Sequence, residues 1–257
     1  MAAAFRSVVL VGVLAALVLP SPLQAQRRPR RPPDGGPGFL FQESRISLGV
    51  RGGFNLRFAG SGIYDFATDS LTLKKSDFNA FSVAGDLGVT LTGPVDLVLS
   101  GGYTTTSAPS EFRNWVDQND LPITQRTTLS TVPLTLAARW NLASRGRQIG
   151  RFVWIPARII PYVGAGGGMI RYSFTQVGSF VDFADLSIFE DRFTSAGWTP
   201  LALAMAGADY SLGKRVLVNA DVRYLWANAE MQGNYDSYTD GIDLSGVQFS
   251  VGLHVRI

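Results

Sequence analysis

Few residues could do nucleophilic or metal chemistry, because the chain has one histidine and no cysteine. The histidine is His254, and outer-membrane enzymes of known type resemble one another in using a histidine together with serine or aspartate. The sequence has no His-x-Ser pair and no second histidine for chelation, and without cysteine it forms neither disulfides nor thiolate metal sites. We interpret His254 as a polar side chain that faces the interior. We predict a protein that is not an enzyme and has no catalytic residue, cofactor or metal site.

Two further patterns admit a chemical interpretation. The glycines of residues 164–168 resemble a phosphate-binding loop, but such a loop precedes a helix, and residues 169–174 continue a strand-like alternation. Asp236, Asp240 and Asp243 could hold a divalent cation, although their spacing matches no calcium loop. We favour strand glycines in the first case. In the second we favour a solvated loop over a cation site, which stays open as the alternative.

Arginine and aspartate form a third pattern, because they recur on one side of segments that alternate between apolar and polar residues. The two signs of charge nearly balance on that side. Charges survive burial only when they are paired, so we expect an internal ion-pair network if this side faces inward. The predicted members are Arg51, Asp86, Asp96, Arg139, Arg171, Asp209, Asp221, Arg223 and Arg256.

The segments that carry these charges are strands, because from Arg45 onward the apolar period is two rather than 3.6. In the first segment Leu48 and Val50 share one face, and Ser47 and Arg51 share the other. There are eight such segments in all, and their connections mostly alternate between short and long, which predicts an up-and-down antiparallel meander. The alanine-rich sixth segment has no clear phase. The predicted long polar loops are residues 107–125, 175–195 and 229–243.

The composition decides which face is outside. Charged residues make up 17% of the chain, whereas a soluble domain usually has about 25%. No internal apolar run reaches the roughly 18 to 20 residues of a membrane-spanning helix. A soluble barrel would need Lys and Glu on its outer face, whereas the polar face here consists mainly of small uncharged residues. We therefore predict an all-β fold, an eight-stranded antiparallel up-and-down transmembrane β-barrel with the charges inside, over residues 45–257.

Aromatic residues near the segment ends predict interfacial girdles, since amphipathic rings favour the headgroup region. Three prolines, Pro133, Pro161 and Pro200, fall within strand-like segments, although a closed barrel has no free edge to accept them. Bulges near strand ends would explain two of them, and Pro133 stays without an explanation. The predicted interfacial aromatics are Tyr103, Trp140, Tyr162, Tyr172, Trp198, Tyr210, Tyr224 and Trp226.

The N-terminal residues predict export. Residues 1–25 have the basic start, short apolar core and small final residue of a secretory signal peptide, cleaved near Ala25 after passage through the Sec pathway. Residues 26–44 are rich in Arg, Pro and Gly and predict a periplasmic linker. The arginines of residues 27–31 account for the formal charge of +3. The remaining chain offers no basic surface, so we expect no nucleic acid partner.

Three stretches resemble the small outer-membrane β-barrel family of the OmpA, OmpX and OmpW type. They are PYVGAGGG at residues 161–168, AGADY at residues 206–210 followed by DVRY at residues 221–224, and the last strand. The resemblance implies a porin-like location in the cell envelope, in the outer membrane of a Gram-negative bacterium. It also implies that the last strand is the assembly signal read by the barrel-insertion machinery, although the usual terminal aromatic is absent. The residues that match this signal are Ser250, Gly252, Val255 and Ile257.

The resemblance predicts the fold better than the function, because members of the family range from structural tethers to adhesins and small-solute channels. We expect a non-enzymatic barrel with a structural, surface-interaction or adhesin-like role. The alternative is a narrow channel for small or apolar solutes, and a lipid-modifying enzyme is less favoured because no histidine lies near the outer rim. The expected partners are outer-membrane lipid, lipopolysaccharide, the barrel-insertion machinery and periplasmic chaperones, and the expected state is a monomer.

Overall fold

The computed structural model describes residues 38–182, 185–236 and 240–257. The predicted signal peptide and the predicted linker up to residue 37 lie outside the described residues. No helix among the described residues is long and apolar enough to cross a bilayer. The elements of the described residues, in chain order, are β1 (Ile46–Arg57), α1 (Gly62–Asp69), a 3-10 helix (Lys75–Phe78), β2 (Ala80–Thr92), β3 (Val95–Val116), β4 (Pro122–Asn141), β5 (Gly146–Ile149), β6 (Val153–Pro156), β7 (Ile159–Val181), β8 (Ile188–Ser211), β9 (Val216–Trp226), β10 (Asn228–Ala229), a second 3-10 helix (Gly233–Tyr235), β11 (Ile242–Asp243) and β12 (Gly246–Arg256).

Eight of these strands close into an antiparallel barrel in the order β1-β12-β9-β8-β7-β4-β3-β2. Closure is visible at β1, where Leu48 lies opposite Val255 of β12 on one side and opposite Leu87 of β2 on the other. The predicted eight-stranded up-and-down barrel is confirmed. The pairs β5–β6 and β10–β11 are separate two-stranded sheets. We call the end where β1 begins and β12 ends the terminal end, and the opposite end the loop end.

Side chains alternate between the lumen and the outer surface, as the pleat of a strand requires. In β9, Val216 and Val222 point outward, whereas Asp221 and Arg223 point inward. The outward band is strongly apolar, with Phe81 80% exposed. A soluble monomer rarely exposes a contiguous apolar patch above a few hundred Å², so this band requires lipid around it. Its members include Leu48, Val50, Phe54, Val83, Leu87, Val89, Leu99, Leu134, Leu136, Val163, Phe249, Val251, Leu253 and Val255.

Four strands are much longer than a bilayer needs. β3, β4, β7 and β8 have 22, 20, 23 and 24 residues, whereas a transmembrane strand needs about 9 to 11. They project beyond the loop end as a four-stranded sheet, which we call the extension and define as residues 105–116, 122–130, 173–181 and 188–196. The predicted loops at residues 107–125 and 175–195 are therefore wrong for most of their length. The strands were missed because their Ser and Thr residues do not alternate with apolar ones. In the extension these residues form cross-strand pairs, such as Ser107 with Thr128 at 3.0 Å.

The phase of β7 is the reverse of the predicted one. Tyr162, Tyr172 and Phe174 point into the lumen and are buried, whereas Arg171 points outward and is exposed. The prediction failed because it assigned the apolar side of every segment to lipid, whereas β7 turns its aromatic and aliphatic side chains inward. β8 also turns its large apolar side chains inward. Its Leu201, Leu203 and Met205 are buried inside, and alanines face out.

The prolines lie where the ladders permit them. Pro133 faces the lumen within β4, and the β3–β4 ladder lacks the two residue pairs between Gly101 with Leu134 and Thr104 with Thr131. Pro200 lies in β8 just before the β8–β9 pairing begins at Ala202. Each of these two prolines stands where one neighbouring strand makes no backbone pairing, so no ladder hydrogen bond is lost to the ring.

Candidate functional site

The terminal half of the lumen holds a network of buried charges. Arg51 Nε lies 3.0 Å from Asp86 Oδ2, and Arg223 Nη2 lies 2.9 Å from Asp221 Oδ2. The two pairs are joined, because Arg223 Nη2 is also 3.9 Å from Asp86 Oδ1. Ser100 donates to Asp86 at 2.5 Å, and Ser250 donates to Asp221. The structure therefore brings four of the predicted network residues together, with hydroxyl groups that satisfy further carboxylate oxygens.

A second group of charges lies in the same half. Arg139 Nη2 is 2.9 Å from Asp96 Oδ2, and its Nη1 is 3.1 Å from Asp209 Oδ2. Asp96 Oδ1 also pairs with Arg145 Nη1 at 2.8 Å, and Arg145 Nη2 reaches Glu43 at 2.9 Å. Arg145 was absent from the predicted network. It lies in the connection after β4, where the two-residue period has ended and no longer indicates a direction.

The remaining predicted members have other surroundings. Arg256 lies in the lumen, donates to Ser211 Oγ at 3.3 Å, and lies over the Trp154 ring at 5.6 Å. Arg171 belongs to the outer surface, so its assignment to the network is wrong. His254 is 8% exposed inside the lumen, with Nε2 3.7 Å from Asp86 Oδ2. The histidine is thus part of the charged layer.

Tyr162 shows why an aromatic on this face does not contact lipid. Its hydroxyl donates to Asp221 Oδ2 at 3.3 Å and accepts from Asn219 Nδ2 at 2.8 Å, and the Arg139 guanidinium lies 4.6 Å above the ring. Tyr172, further along β7, donates to the carbonyl of Glu230 at 2.6 Å. Both tyrosines therefore anchor interior structure, and their prediction as interfacial aromatics is wrong.

The other predicted aromatics lie on the outer surface. Tyr103, Trp198 and Trp226 are exposed towards the loop end of the apolar band, and Trp140 and Tyr210 are exposed towards the terminal end. Tyr224 also faces outward, where its ring packs on Phe58 and Trp226. Exposed rings at the two edges of an apolar band are the arrangement that bilayer interfaces favour.

The C-terminal strand β12 carries the predicted assembly signal. Ser250 and Gly252 face the lumen, and Val255 and Ile257 face outward. The N–H of Ile257 donates to the carbonyl of Ile46 at 2.9 Å, so the last residue completes the pairing of β12 with β1. The strand that would carry the signal is thus also one side of the barrel's closing seam.

The loop half of the lumen is filled by apolar side chains from the strands and from the connections above them. Strand residues such as Leu203 and Phe174 belong to one cluster with Ile63 and Tyr64 of α1. The Tyr64 hydroxyl donates to the carbonyl of Asp243 at 2.9 Å, and burial raises the pKa of this phenol. The cluster also contains Leu71, Leu73, Phe78, Leu129, Ile170, Tyr172, Leu201, Leu225, Met231, Tyr235, Ile242 and Leu244.

The aspartates of the last loop bind backbone groups. Asp240 Oδ2 accepts from Gly62 N at 2.6 Å, and Asp243 Oδ2 accepts from Gly60 N at 3.0 Å. These bonds hold the start of α1 against the connection between β9 and β12. Within the described ranges, no group of three or more His, Asp or Glu side chains is placed to hold a metal ion. Asp240 and Asp243 therefore have a structural role in joining two loops.

The terminal end is covered by the β5–β6 hairpin. Leu40 and Trp154 exchange two backbone hydrogen bonds of 2.8 Å, so residues 38–44 of the predicted linker are tied to the hairpin. Trp154 is buried, and its ring lies beneath Arg256. The lumen is thus covered at this end by the hairpin and at the other by α1 and the loops.

A cavity of about 450 Å³ lies above the apolar half, on the inner face of the extension. We call it the aromatic cavity, because six rings line it. The sequence does not reveal it, since several of these rings fall in stretches that are predicted as polar loops. The rings belong to Phe66, Phe112, Phe180, Phe189, Phe193 and Tyr235, and the polar lining residues are Gln125, Gln176, Asp182 and Asn234.

The closed strand order and the apolar outer band together define the class of the fold. The chain is a transmembrane β-barrel. It is similar to small outer-membrane β-barrel proteins of known structure. No protein-family model and no curated protein matches the sequence.

Three solved structures illustrate the similarity. Neisserial surface protein A is 12% identical, with 82% of this chain and 96% of that chain covered and a TM-score of 0.47. Outer membrane protein OprG from Pseudomonas aeruginosa is 14% identical, with 85% and 99% covered and a TM-score of 0.47. The E. coli outer membrane protein W is 19% identical, with 84% and 99% covered and a TM-score of 0.37. At these values the likeness carries no argument about function, which has to come from the barrel's own residues.

Proposed function

We propose that the protein is a non-conducting barrel of the bacterial outer membrane that presents its extension to partners at the cell surface. The observation that carries this proposal is the filled lumen. Paired charges occupy the terminal half and an apolar cluster occupies the loop half, and each half is covered at its own end. A continuous aqueous path would have to break both layers. The role is non-enzymatic, and His254 supports this because it is enclosed among the charges of the lumen.

The extension supports the surface role. With an even number of strands, both ends of the barrel domain lie on the periplasmic side, so the loop end faces out of the cell. Its tips carry exposed apolar side chains, among them Val116 and Leu121 at the β3–β4 turn and Leu186 at the β7–β8 turn. Exposed apolar groups that are raised above the bilayer are suited to contact with another molecule.

The same proposal includes the route to the membrane and the lipid partners. It assumes export through the Sec pathway, cleavage near Ala25, delivery by periplasmic chaperones and recognition of β12 by the barrel-insertion machinery. In the membrane, lipid surrounds the apolar band and lipopolysaccharide surrounds the outer girdle of Tyr103, Trp198 and Trp226. The protein acts as a monomer.

Planar bilayers test the filled lumen directly. The purified protein should insert without steady conductance, and a stable open channel would refute the proposal. Cells that produce the wild-type protein should adhere to a surface better than cells that produce a variant with Leu121→Ser and Leu186→Ser at the tips. Equal adhesion with equal surface display would remove the surface role and leave a purely structural one.

A passage for small apolar solutes is the second candidate, and the aromatic cavity is the observation that favours it. The glycine-rich part of β7 is a poor lateral opening, because it pairs with β4 on one side and β8 on the other. A β-carbon on Gly166 or Gly168 would overlap the carbonyl oxygens of Leu136 and Leu134, so this wall is tightly packed. Solute uptake by cells with and without the gene decides this candidate.

A further inference from the structure

The aromatic cavity has a wall of rings that pack on one another. The Phe180 and Phe193 rings are 4.3 Å apart between centroids, and Phe193 meets Tyr235 edge to face at 6.4 Å. Tyr235 in turn packs edge to face on Phe174 at 5.4 Å, and Phe174 belongs to the apolar cluster of the lumen. The cavity therefore rests on the filled lumen and has preformed walls. Its volume of about 450 Å³ falls within the roughly 300 to 1,000 Å³ of small-molecule sites.

Three polar side chains of the cavity are hydrogen-bonded to the protein itself. Tyr235 donates to Gln176 Oε1 at 2.7 Å, and Gln176 Nε2 donates to Thr127 at 3.3 Å. Gln125 Nε2 donates to the carbonyl of Ser179 at 3.0 Å. Since a carbonyl can only accept, this bond fixes the orientation of the Gln125 amide and directs its oxygen elsewhere.

The oxygen of Gln125 differs from these groups. The side chain is only 5% exposed, and among the residues that the structure describes Oε1 has no hydrogen-bond partner. A buried acceptor without a donor costs about 1 to 3 kcal/mol. The oxygen itself is closed to solvent in this structure, so the Gln125 side chain has to shift towards the cavity before a ligand's donor can bond to it. The cavity thus combines an aromatic wall with one unsatisfied acceptor.

We infer that the aromatic cavity binds a flat, mostly apolar molecule that carries a hydrogen-bond donor for Gln125 Oε1. The rings supply the burial of the ligand's faces, and the amide oxygen selects the donor. The inference rests on the proposed function only for the side of the membrane that the cavity faces. It assigns to the extension a small-molecule site in addition to its tips.

Two probes with the same naphthalene ring system separate the two parts of the inference. 2-Naphthol carries a hydroxyl donor, and 2-methoxynaphthalene carries none. Binding of each to the full-length protein in lipid nanodiscs is measured by calorimetry, with empty nanodiscs as the blank. We expect the wild-type protein to prefer 2-naphthol about tenfold, the ratio that one neutral hydrogen bond supplies. No binding of either probe, or equal binding of both, overturns the assignment.

Variants locate the binding. Gln125→Leu should abolish the preference for 2-naphthol while it retains binding of 2-methoxynaphthalene, and Phe193→Ala should weaken both probes alike. Gln148→Leu, the same change at an exposed position of β5, should behave as the wild type. A shift in electrophoretic mobility between unheated and boiled samples shows that each variant is folded. Retention of the preference in folded Gln125→Leu overturns the role of the amide, and unaltered binding in folded Phe193→Ala overturns the site.

These outcomes are independent of the conductance test. A barrel that conducts no current and binds neither probe loses only the small-molecule site. A barrel that conducts but still prefers 2-naphthol through Gln125 keeps the site and loses the proposed non-conducting role.

Discussion

The two halves of the lumen fill the same barrel by opposite means. Along β9, Asp221 and Arg223 belong to the charged network of the terminal half, and Leu225, one inward position further, belongs to the apolar cluster of the loop half. Along β8, Asp209 faces the charges and Leu203 the apolar side chains. The polarity of the lumen therefore changes along single strands, although the backbone pairing continues unchanged. A closed barrel requires only that its interior be satisfied, and either paired charges or packed hydrocarbon will do this.

The two fillings differ in what a substitution removes. In the charged half each group depends on a partner of opposite sign, so the loss of one charge leaves another buried without compensation. In the apolar half each side chain depends on the shape of its neighbours, so a truncation leaves a void. A substitution that removes a charge but keeps the shape should therefore destabilise the charged half. In the apolar half, a substitution that reduces side-chain volume should destabilise the barrel.

The largest effect is expected from Asp86→Asn, which keeps the shape and removes a charge that Arg51 and Arg223 share. Loss of one partner of a buried ion pair costs about 3 to 5 kcal/mol. The free energy of unfolding, measured by urea titration in lipid vesicles, should fall by that amount. Asp185→Asn, an exposed position outside the barrel wall, serves as the control and should change it little. A loss below about 1 kcal/mol in Asp86→Asn would show that the network is not a cooperative charge cluster.

The next effect is expected from Leu203→Ala in the apolar half, where the side chain is buried. Truncation of a buried leucine costs about 2 to 5 kcal/mol, according to how far the surroundings collapse into the void. The matched control is Leu134→Ala on the outer face, where lipid can fill the space that the side chain leaves. The same urea titration should therefore give a clearly larger loss for Leu203→Ala than for Leu134→Ala. Equal losses would indicate that the loop half is open to lipid or water.

The contrast between the halves also explains how much the sequence predicts. Alternation with a period of two was enough for the eight strands, their order and the inward direction of Arg51, Asp86 and Asp221, because a charge near the middle of a membrane strand is costly on the lipid face. It was not enough for β7, where Tyr162 and Phe174 are apolar and still face inward. Periodicity distinguishes two faces, but an apolar face can contact either lipid or an apolar interior.

The extension and its cavity could not be predicted from the sequence, for a related reason. Outside the bilayer a strand loses the lipid-facing residues that make it recognisable, so the Ser and Thr positions of β3 and β4 looked like a loop. The rings of Phe180, Phe189 and Phe193 were therefore not assigned to one face. Only the β7–β8 pairing, which places Phe180 opposite Phe189, brings them to a common wall.

Arg57 lies at the boundary between the two halves and tests whether their fillings are separate. Its side chain is 7% exposed, and Nη2 donates to Thr131 at 3.0 Å. In the part of the chain that the structure describes, its Nε and Nη1 have no hydrogen-bond partner. This arginine is thus buried like the side chains of the apolar half, but it is not paired like the arginines of the charged half. We expect Arg57→Met, which keeps much of the length and apolar stem, to leave the free energy of unfolding within about 1 kcal/mol of the wild type or to raise it.

The urea titration used for Asp86→Asn measures this variant too, and Arg51→Met is its control. Both substitutions remove a buried guanidinium from β1, but Arg51 has Asp86 as a partner at 3.0 Å. Its loss should therefore be costly, because it leaves the Asp86 carboxylate with Arg223, 3.9 Å away, as its nearest arginine. If Arg57→Met proved as destabilising as Arg51→Met, the boundary arginine would have to be satisfied as fully as the charges below it. The lumen would then be one continuous polar network capped by hydrocarbon, and its division into two independent fillings would have to be abandoned.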